Sequence, residues 1–259
     1  MSWLRRPPAR DSVADDMRLA DAAAALGDYA AALAIWGPLA HAGNPRAQNN
    51  IGACFAGGLG VTRDHALALK WLTLAADAGD PAGCRNLAHA HFRGEGVPEN
   101  PGRAAALYRR AADAGDAEAQ DMLSWMLAEG QVIAPDLAEA RRLAEAAAAQ
   151  GNPSAMARLG MMAHNAVGTE RDPVEAARWW AMAATRGDAD AQAMLGAALH
   201  MGAGVPRDPF AGFVWLLRAH AGGSDLAYPF LRAAEAALSL DEAGRARRAA
   251  DQPLPEPGR

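Results

Sequence analysis

Large and small apolar residues alternate along this chain in two recurring patterns. In the first pattern a large residue is followed directly by a small one, at Ile51-Gly52, Leu87-Ala88, Leu123-Ser124, Leu159-Gly160 and Leu195-Gly196. In the second pattern a large residue recurs at Trp71, Leu107, Leu143, Trp179 and Trp215, and an alanine pair follows shortly after each of the first four. Large residues beside small ones let neighbouring helices interdigitate. The two patterns therefore predict two alternating helices that pack on each other.

Polar and glycine positions between these segments repeat with the same period. A glycine stands every 36 residues, at Gly43, Gly79, Gly115, Gly151, Gly187 and Gly223, and a short polar residue follows each one. A second mark of the same period is made by Asp64, Asn100, Asp136, Asp172 and Asp208. Glycine at such a position ends one helix in a left-handed conformation, and a short polar side chain caps the next. Each period is therefore predicted to contain two capped helices.

The loop inside each period carries paired glycines in three of five copies. They occur in Gly58-Leu59-Gly60-Val61, Gly94-Glu95-Gly96-Val97 and Gly202-Ala203-Gly204-Val205. The loops at residues 130–133 and 166–169 each lack one of the two glycines. Glycine permits backbone angles that other residues resist, so we expect these two loops to differ locally without interrupting the stack.

Together these patterns predict an all-α fold, an α/α superhelical solenoid of antiparallel helix pairs with a 36-residue repeat. Ser239 and Glu242 have the spacing of a capping box for the last helix. The predicted divisions are a flexible N-terminus (1–13), a shortened first repeat (14–43), five full repeats (44–223), C-terminal capping helices (224–251) and a disordered tail (252–259).

The motif in residues 47–79 closely resembles the Sel1-like repeat, which is related to the tetratricopeptide repeat. The residues that carry the resemblance are Ile51-Gly52, Phe55, Gly58-Leu59-Gly60-Val61, Asp64, Ala68, Trp71 and Ala75-Ala76. The segment 14–43, with its tight Gly27-Asp28 turn, is closer to a tetratricopeptide hairpin. The resemblance implies a scaffold or adaptor that assembles other proteins. It implies no particular partner.

Composition and charge agree with this interpretation. Aromatic residues make up only 6% of the chain, and the formal net charge is −5. Lys70 is the single lysine, and the arginines are scattered, so neither nucleic acid nor an anionic membrane is an expected partner. No apolar segment has the length of a signal peptide or a membrane span. We therefore expect no membrane insertion and a cytoplasmic location.

The residues that could carry chemistry do not form a recognised site. The cysteines, Cys54 and Cys84, occupy different repeat positions and are expected to be reduced core residues. Cys84 and His91 share a helical face, but no third or fourth ligand accompanies them, so we predict no zinc site. The chain lacks the motifs of serine–lysine acylation, of phosphate loops and of zinc proteases. We predict no enzyme activity and no cofactor.

The sequence also predicts a binding surface on the first helix of each pair. If Ile51 faces the second helix, the positions equivalent to 46, 49, 53 and 56 line the concave side of the solenoid. These are Arg46, Asn49, Arg85, His89, Phe92, Glu118, Asp121, Trp125, Met161, His164, Asp190 and His200. Aromatic residues, methionine and arginine are enriched at interfaces, although Trp125 and Met161 could instead fill gaps between first helices.

The predicted function is a non-catalytic scaffold that binds a protein or an extended peptide through this concave surface. One alternative is the β-lactam binding or hydrolase activity that the resemblance suggests through cysteine-rich relatives, whose regular paired cysteines this chain lacks. The other alternative is an envelope-associated regulatory factor, which differs in location rather than in mechanism.

Overall fold

The computed structural model describes residues 12–254, and every regular element in that range is helical. Most of the predicted flexible N-terminus and the end of the predicted tail lie outside the described residues. The α-helices are α1 (Ser12–Ala25), α2 (Tyr29–His41), α3 (Pro45–Gly57), α4 (His65–Asp77), α5 (Pro81–Arg93), α6 (Pro101–Asp113), α7 (Ala117–Glu129), α8 (Leu137–Ala149), α9 (Pro153–Asn165), α10 (Pro173–Ala184), α11 (Ala189–Met201), α12 (Pro209–Ala221), α13 (Tyr228–Ala236) and α14 (Leu240–Ala250).

Successive helices pack against each other within two compact units, which divide between Ala119 and Gln120. In the first unit, each of α1 to α5 contacts the helix that follows it, and α3 also contacts α5. In the second unit, α8 to α12 follow the same order, and both α13 and α14 pack on α12. This arrangement confirms the predicted all-α solenoid of helix pairs. We call α3, α5, α7, α9 and α11 the first helices of the pairs.

The predicted glycine and cap positions end and begin the helices as expected. The six glycines that recur every 36 residues all have φ between +84° and +91°. The side chains of Asn44, Asp80, Asp116, Asn152 and Asp188 each accept a hydrogen bond from the backbone N–H three residues later. These bonds satisfy N–H groups that a helix leaves unpaired at its start.

Ser224 departs from this rule, and the prediction that it caps a helix is wrong. Its side chain makes no capping bond. Its hydroxyl donates instead to Asp190 Oδ1, at 2.6 Å. A short 3-10 turn (Asp225–Ala227) follows in place of a full first helix. The predicted capping box at Ser239 and Glu242 is present at the start of α14.

The second glycine of each loop lies against the preceding repeat. A methyl group placed on Gly60 would be 2.7 Å from the Tyr29 Cβ atom, and one on Gly96 would be 2.7 Å from the His65 Cβ atom. In the second unit, the same construction on Gly204 meets the carbonyl oxygen of Pro173 at 2.0 Å. Any side chain here would push the loop away, so glycine is required by close approach as well as by positive φ.

The two loops that lack a glycine differ locally, as predicted. Ala166 takes the left-handed conformation at the end of α9, with φ of +58°, where the other loops use glycine. Among the described residues it is the one non-glycine with positive φ, so Val132 in the other loop keeps a negative φ. The helices on both sides of each loop continue the stack.

The large residue expected inside each pair is buried in two repeats, at Leu107 and Leu143, but not in the other three. Trp71, Trp179 and Trp215 are only half-buried. The following residue is buried in every repeat, at Leu72, Tyr108, Ala144, Trp180 and Leu216. Leu72, Trp180 and Leu216 lie against glycines of the first helices: a methyl group on Gly160 would lie 2.4 Å from Trp180. The glycines at 52, 160 and 196 therefore let the two helices of a pair approach closely.

Candidate functional site

In the first unit, three of the predicted groove residues are bound within the protein. Arg46 is exposed and pairs with Asp21 at 2.6 Å. Asn49 is only 7% exposed, and its side-chain oxygen accepts a bond from Asn86 at 2.8 Å. The third residue is Arg85, whose partners are both acidic.

Arg85 binds two carboxylates at the start of α7. Its Nη1 atom lies 2.7 Å from Asp116 Oδ2, and its Nε atom lies 3.1 Å from Glu118 Oε2. The Asp116 side chain is only 10% exposed, so this is a partly buried ion pair. The guanidinium group thereby neutralises an acidic pair that the helix cap holds in place.

A small cavity of about 160 Å³ lies between α3, α4 and α5. His89, which is exposed, and Asn86 line it together with Glu95 and apolar residues of α4. Phe92 is half-buried on the same helix as His89. This cavity holds less than half the volume of the groove in the second unit.

In the second unit the predicted residues have different surroundings. Asp121 is 7% exposed and accepts a bond from Arg158 Nε at 2.9 Å. Trp125 and His200 are half-buried. His164 lies with its ring centroid 5.4 Å from that of Trp180. Met161, by contrast, is 38% exposed, so this apolar side chain is open to solvent.

A groove of about 460 Å³ runs across the first helices of the second unit. Its walls come from the end of α7, from α9 and from the start of α11, and Leu226 closes one side. Met161, Met194 and the 41% exposed Leu226 supply its apolar surface, and the 4% exposed Trp180 lies beneath. Flexible methionines on an accessible surface are typical of sites that bind varied apolar side chains.

The edge of this groove is acidic. Glu129, Asp188 and Asp190 are carboxylates in its lining, and Arg158 is the one basic residue among the lining residues. Burial raises the pKa of the Asp188 carboxyl, and the nearby Asp190 and Asp121 carboxylates raise it further, against the bonds from backbone N–H groups that lower it. The site therefore holds like charges close together.

Sequence reasoning identified Met161 and Asp190 but missed most of the other groove residues. Asp188 was interpreted only as a helix cap, and Trp180 was passed over for the neighbouring Trp179. Met194 occupies the position equivalent to Arg158, which the helical projection did not assign to the groove. A comparison of charge at equivalent repeat positions could have indicated Asp188.

The other candidate chemical groups have structural surroundings. Cys54 and Cys84 are buried and form no disulfide, and burial raises the pKa of both thiols. The Cys84 Sγ atom lies 3.8 Å from the Ala76 carbonyl oxygen. Arg103 Nε donates to the His91 ring at 3.0 Å. Across residues 12–254, no group of three histidine, cysteine or acidic side chains is placed to hold a metal ion.

These features define an all-α repeat protein with an exposed groove on its first helices. Residues 45–80, 81–116, 117–152, 153–188 and 189–224 each match the Sel1 repeat. Because these five ranges cover well over half of the chain, the protein belongs to the Sel1 repeat family.

Solved structures agree with this assignment. A Sel1 repeat protein from Oxalobacter formigenes is 25% identical, covers 94% of this chain and 99% of its own, and has a TM-score of 0.78. A protective antigen of uropathogenic Escherichia coli with an SLR fold is 27% identical over 92% of this chain, with a TM-score of 0.81. The present chain spans about half, 52%, of the length of that antigen.

An immunity protein from Pseudomonas aeruginosa is more distant. It is 17% identical, covers 96% of this chain and 87% of its own, and has a TM-score of 0.51. At this identity the likeness shows the fold alone. No curated protein is similar enough to this chain to add to these relatives. Of the helices in residues 12–254, none is both long and apolar enough to cross a membrane.

Proposed function

We propose that this protein is a non-catalytic scaffold that binds an extended segment of another protein on the surface of its first helices. The groove of the second unit carries the proposal, because it exposes Met161 and Leu226 between helices whose other faces are packed. Sel1 repeats are protein-interaction modules, and the predicted concave surface is made by the same helices. The two cysteines form no disulfide, as is usual in a reducing compartment, and this supports the cytoplasm as the location.

Enzymatic activity has less support. Cys54 and Cys84 are buried and have raised thiol pKa values, and thiolates rather than thiols are the nucleophiles. The exposed lining residues of the groove include Met161, Leu226 and Asp190, and the one hydroxyl among them, that of Ser154, has no histidine or lysine beside it in the lining. β-Lactam binding and β-lactam hydrolysis are therefore the alternatives against which the scaffold proposal is tested.

The proposal is tested by affinity capture from a native lysate with two matched double variants. Met161→Gln with Met194→Gln makes the groove polar at nearly constant volume. Val174→Gln with Met201→Gln makes equivalent changes at positions that are 65% and 56% exposed and do not line the groove. We expect one partner to be retained by wild type and by the control, and to be lost by the groove variant.

Circular dichroism of each variant separates loss of binding from loss of fold. A partner retained by both variants would show that the binding surface lies outside the groove. The absence of any specific partner, together with turnover of a β-lactam by the wild type, would favour the enzymatic alternative over the scaffold.

A further inference from the structure

The acidic pair at the start of a first helix is neutralised in the first unit of this protein but not in the second. Asp116 and Glu118, at the start of α7, are both bound by Arg85. The equivalent residues two repeats later, Asp188 and Asp190, stand at the start of α11. The position of Arg85 is occupied there by Ala157, which lines the groove.

Within residues 12–254, neutral groups and no cationic side chain hold the carboxylates of the second pair in place. Asp188 caps α11 through the backbone N–H of Ala191, at 2.7 Å. Asp190 accepts a bond from the Ser224 hydroxyl at 2.6 Å. A neutral hydroxyl therefore occupies one side of the pair, and the negative charges stay uncompensated at the groove edge.

The one arginine in the groove lining is already engaged elsewhere. The Nε atom of Arg158 lies 2.9 Å from Asp121 Oδ1, and both side chains are largely buried, at 21% and 10% exposure. Its charge is balanced by that carboxylate. Glu129, on α7, adds a further negative charge to the lining. Adjacent to this acidic edge lie Met161 and Leu226, which are both exposed.

We propose that the groove binds an extended peptide segment that carries an arginine or a lysine next to an apolar residue. The basic side chain lies over Ala157 between Asp188 and Asp190, where it takes the place that Arg85 fills in the first unit. The apolar side chain covers Met161 and Leu226. The inference rests on the proposed scaffold function and specifies its partner.

The dimensions of the groove suit a short segment. It crosses three first helices, and neighbouring helices pack about 10 Å apart. A strand that spans about 20 Å contains about six residues. Successive side chains of an extended peptide point to opposite sides, so the basic residue and its apolar neighbour face different parts of the groove. Burial of Asp188 strengthens its attraction to a cation.

The test selects short random peptides, displayed on phage, against the wild-type protein. The affinity of the selected peptides is then measured by calorimetry for three new variants and for the groove variant Met161→Gln with Met194→Gln. Asp188→Asn with Asp190→Asn removes the charges and keeps the cap, because asparagine caps α3 and α9 at the same repeat position. Ala157→Arg supplies the cation from within the chain. Asp77→Asn with Asp80→Asn removes two charges from the first unit and is the control.

We expect the selected peptides to carry arginine or lysine beside an apolar residue. Their affinity should fall at least about tenfold for the first two variants and stay unchanged for the control. It should also weaken as salt is added, since screening acts on the ion pairs. The Ala157→Arg protein should remain folded, with a thermal midpoint no lower than that of wild type.

Three results would overturn the inference. Selected peptides without a basic residue, whose binding is lost in Met161→Gln with Met194→Gln, would disprove the basic partner and leave the scaffold function standing. Basic peptides that bind all variants equally would place their site elsewhere and disprove the role of the acidic pair. Failure to enrich any peptide would count against both the inference and the proposed function.

Discussion

Single side chains set how closely the two helices of one pair approach. Gly160 lies against Trp180, and Gly52 and Gly196 have the same relation to Leu72 and Leu216. The interior of a protein is packed too densely to take up an added carbon without displacement. The effect of an added methyl group on the free energy of unfolding therefore depends on which atoms lie next to the glycine.

Gly160→Ala should lower the free energy of unfolding by about 1–3 kcal/mol, because the added Cβ atom would overlap the Trp180 indole. Gly102→Ala is the matched control, since this helical glycine is exposed and the added carbon would lie no closer than 3.7 Å to Asn100 Oδ1. It should stabilise the protein by about 0.5–1 kcal/mol. Urea unfolding of both variants measures the difference, and equal effects would contradict the packing argument.

Asp188 should make the protein more stable as its carboxyl becomes protonated. Its pKa is raised in the folded state, chiefly by burial, so the charged form is disfavoured by folding at neutral pH. That penalty disappears as the pH falls through the raised pKa towards the ordinary one. Asp188→Asn should therefore be at least as stable as wild type at pH 7, and the difference should narrow in acid.

Thermal unfolding across this pH range, with Asp80→Asn as the control cap, measures the effect. Asparagine and aspartate cap helices about equally well, so loss of the cap does not confuse the comparison. An Asp188→Asn protein that is much less stable than wild type at neutral pH would contradict the prediction, because it would show that the folded protein stabilises the charged carboxylate.

At the scale of the elements, the loops distinguish one repeat from another. Ala166 ends α9 in the left-handed region, which costs an L-residue about 1–2 kcal/mol. Ala166→Gly should raise the free energy of unfolding by about 0.5–1 kcal/mol, and Gly94→Ala at the equivalent end of α5 should lower it by about 1 kcal/mol. Denaturant titration of the two variants measures this, and changes of the same sign would refute it.

The elements were predictable where their causes are local. Asn44 and Gly43 act through bonds and backbone angles within a few residues, so the 36-residue spacing was enough to place every helix boundary of that kind. Ser224 was interpreted wrongly because its partner, Asp190, lies 34 residues away. Trp180 was missed because two adjacent tryptophans fit one pattern, and only the packing of α9 on α10 distinguishes them.

The candidate site was less predictable than the fold, for a related reason. Met161 was expected in the groove, but the contrast between Arg85 and Ala157 appears only when the partners of each residue are known. Asp116 is 31 residues from Arg85 in the sequence. The repeat period predicts which positions lie close together. It does not show at which of them a carboxylate is bound by an arginine and at which it is not.

At the scale of the whole molecule, a stack of repeats needs its ends covered. Helix α12 packs on α13 and α14, and its Phe213 and Leu216, both at most 2% exposed, belong to the same buried cluster as Ala234 and Ala243 of those helices. Arg218 donates to the backbone carbonyl groups of Ala249 and Ala250 and thereby holds the end of α14. We therefore propose that the C-terminal helices cover the last repeat, as terminal units do in other solenoids.

A chain that ends at Gly223 should lose stability first in its last repeat. Hydrogen exchange should rise more in residues 189–221 than in residues 45–77, and binding of a hydrophobic dye should increase because the α12 face becomes exposed. A chain that ends at Gln252 is the control and should behave like the full chain. Uniform exchange along the shortened chain would instead indicate a single cooperative unit.

The contact between a loop glycine and the preceding repeat has a consequence for how such a gene can change in length. Gly60 and Gly96 meet the same position of the repeat before them, Tyr29 and His65, 36 residues apart. The contact between a loop and the preceding repeat therefore depends on the 36-residue spacing rather than on which residue the preceding repeat carries at that position. Gain or loss of 36 codons in frame would leave the other loops able to make this contact. Duplication and deletion of whole repeats are therefore the changes in length that this architecture tolerates best.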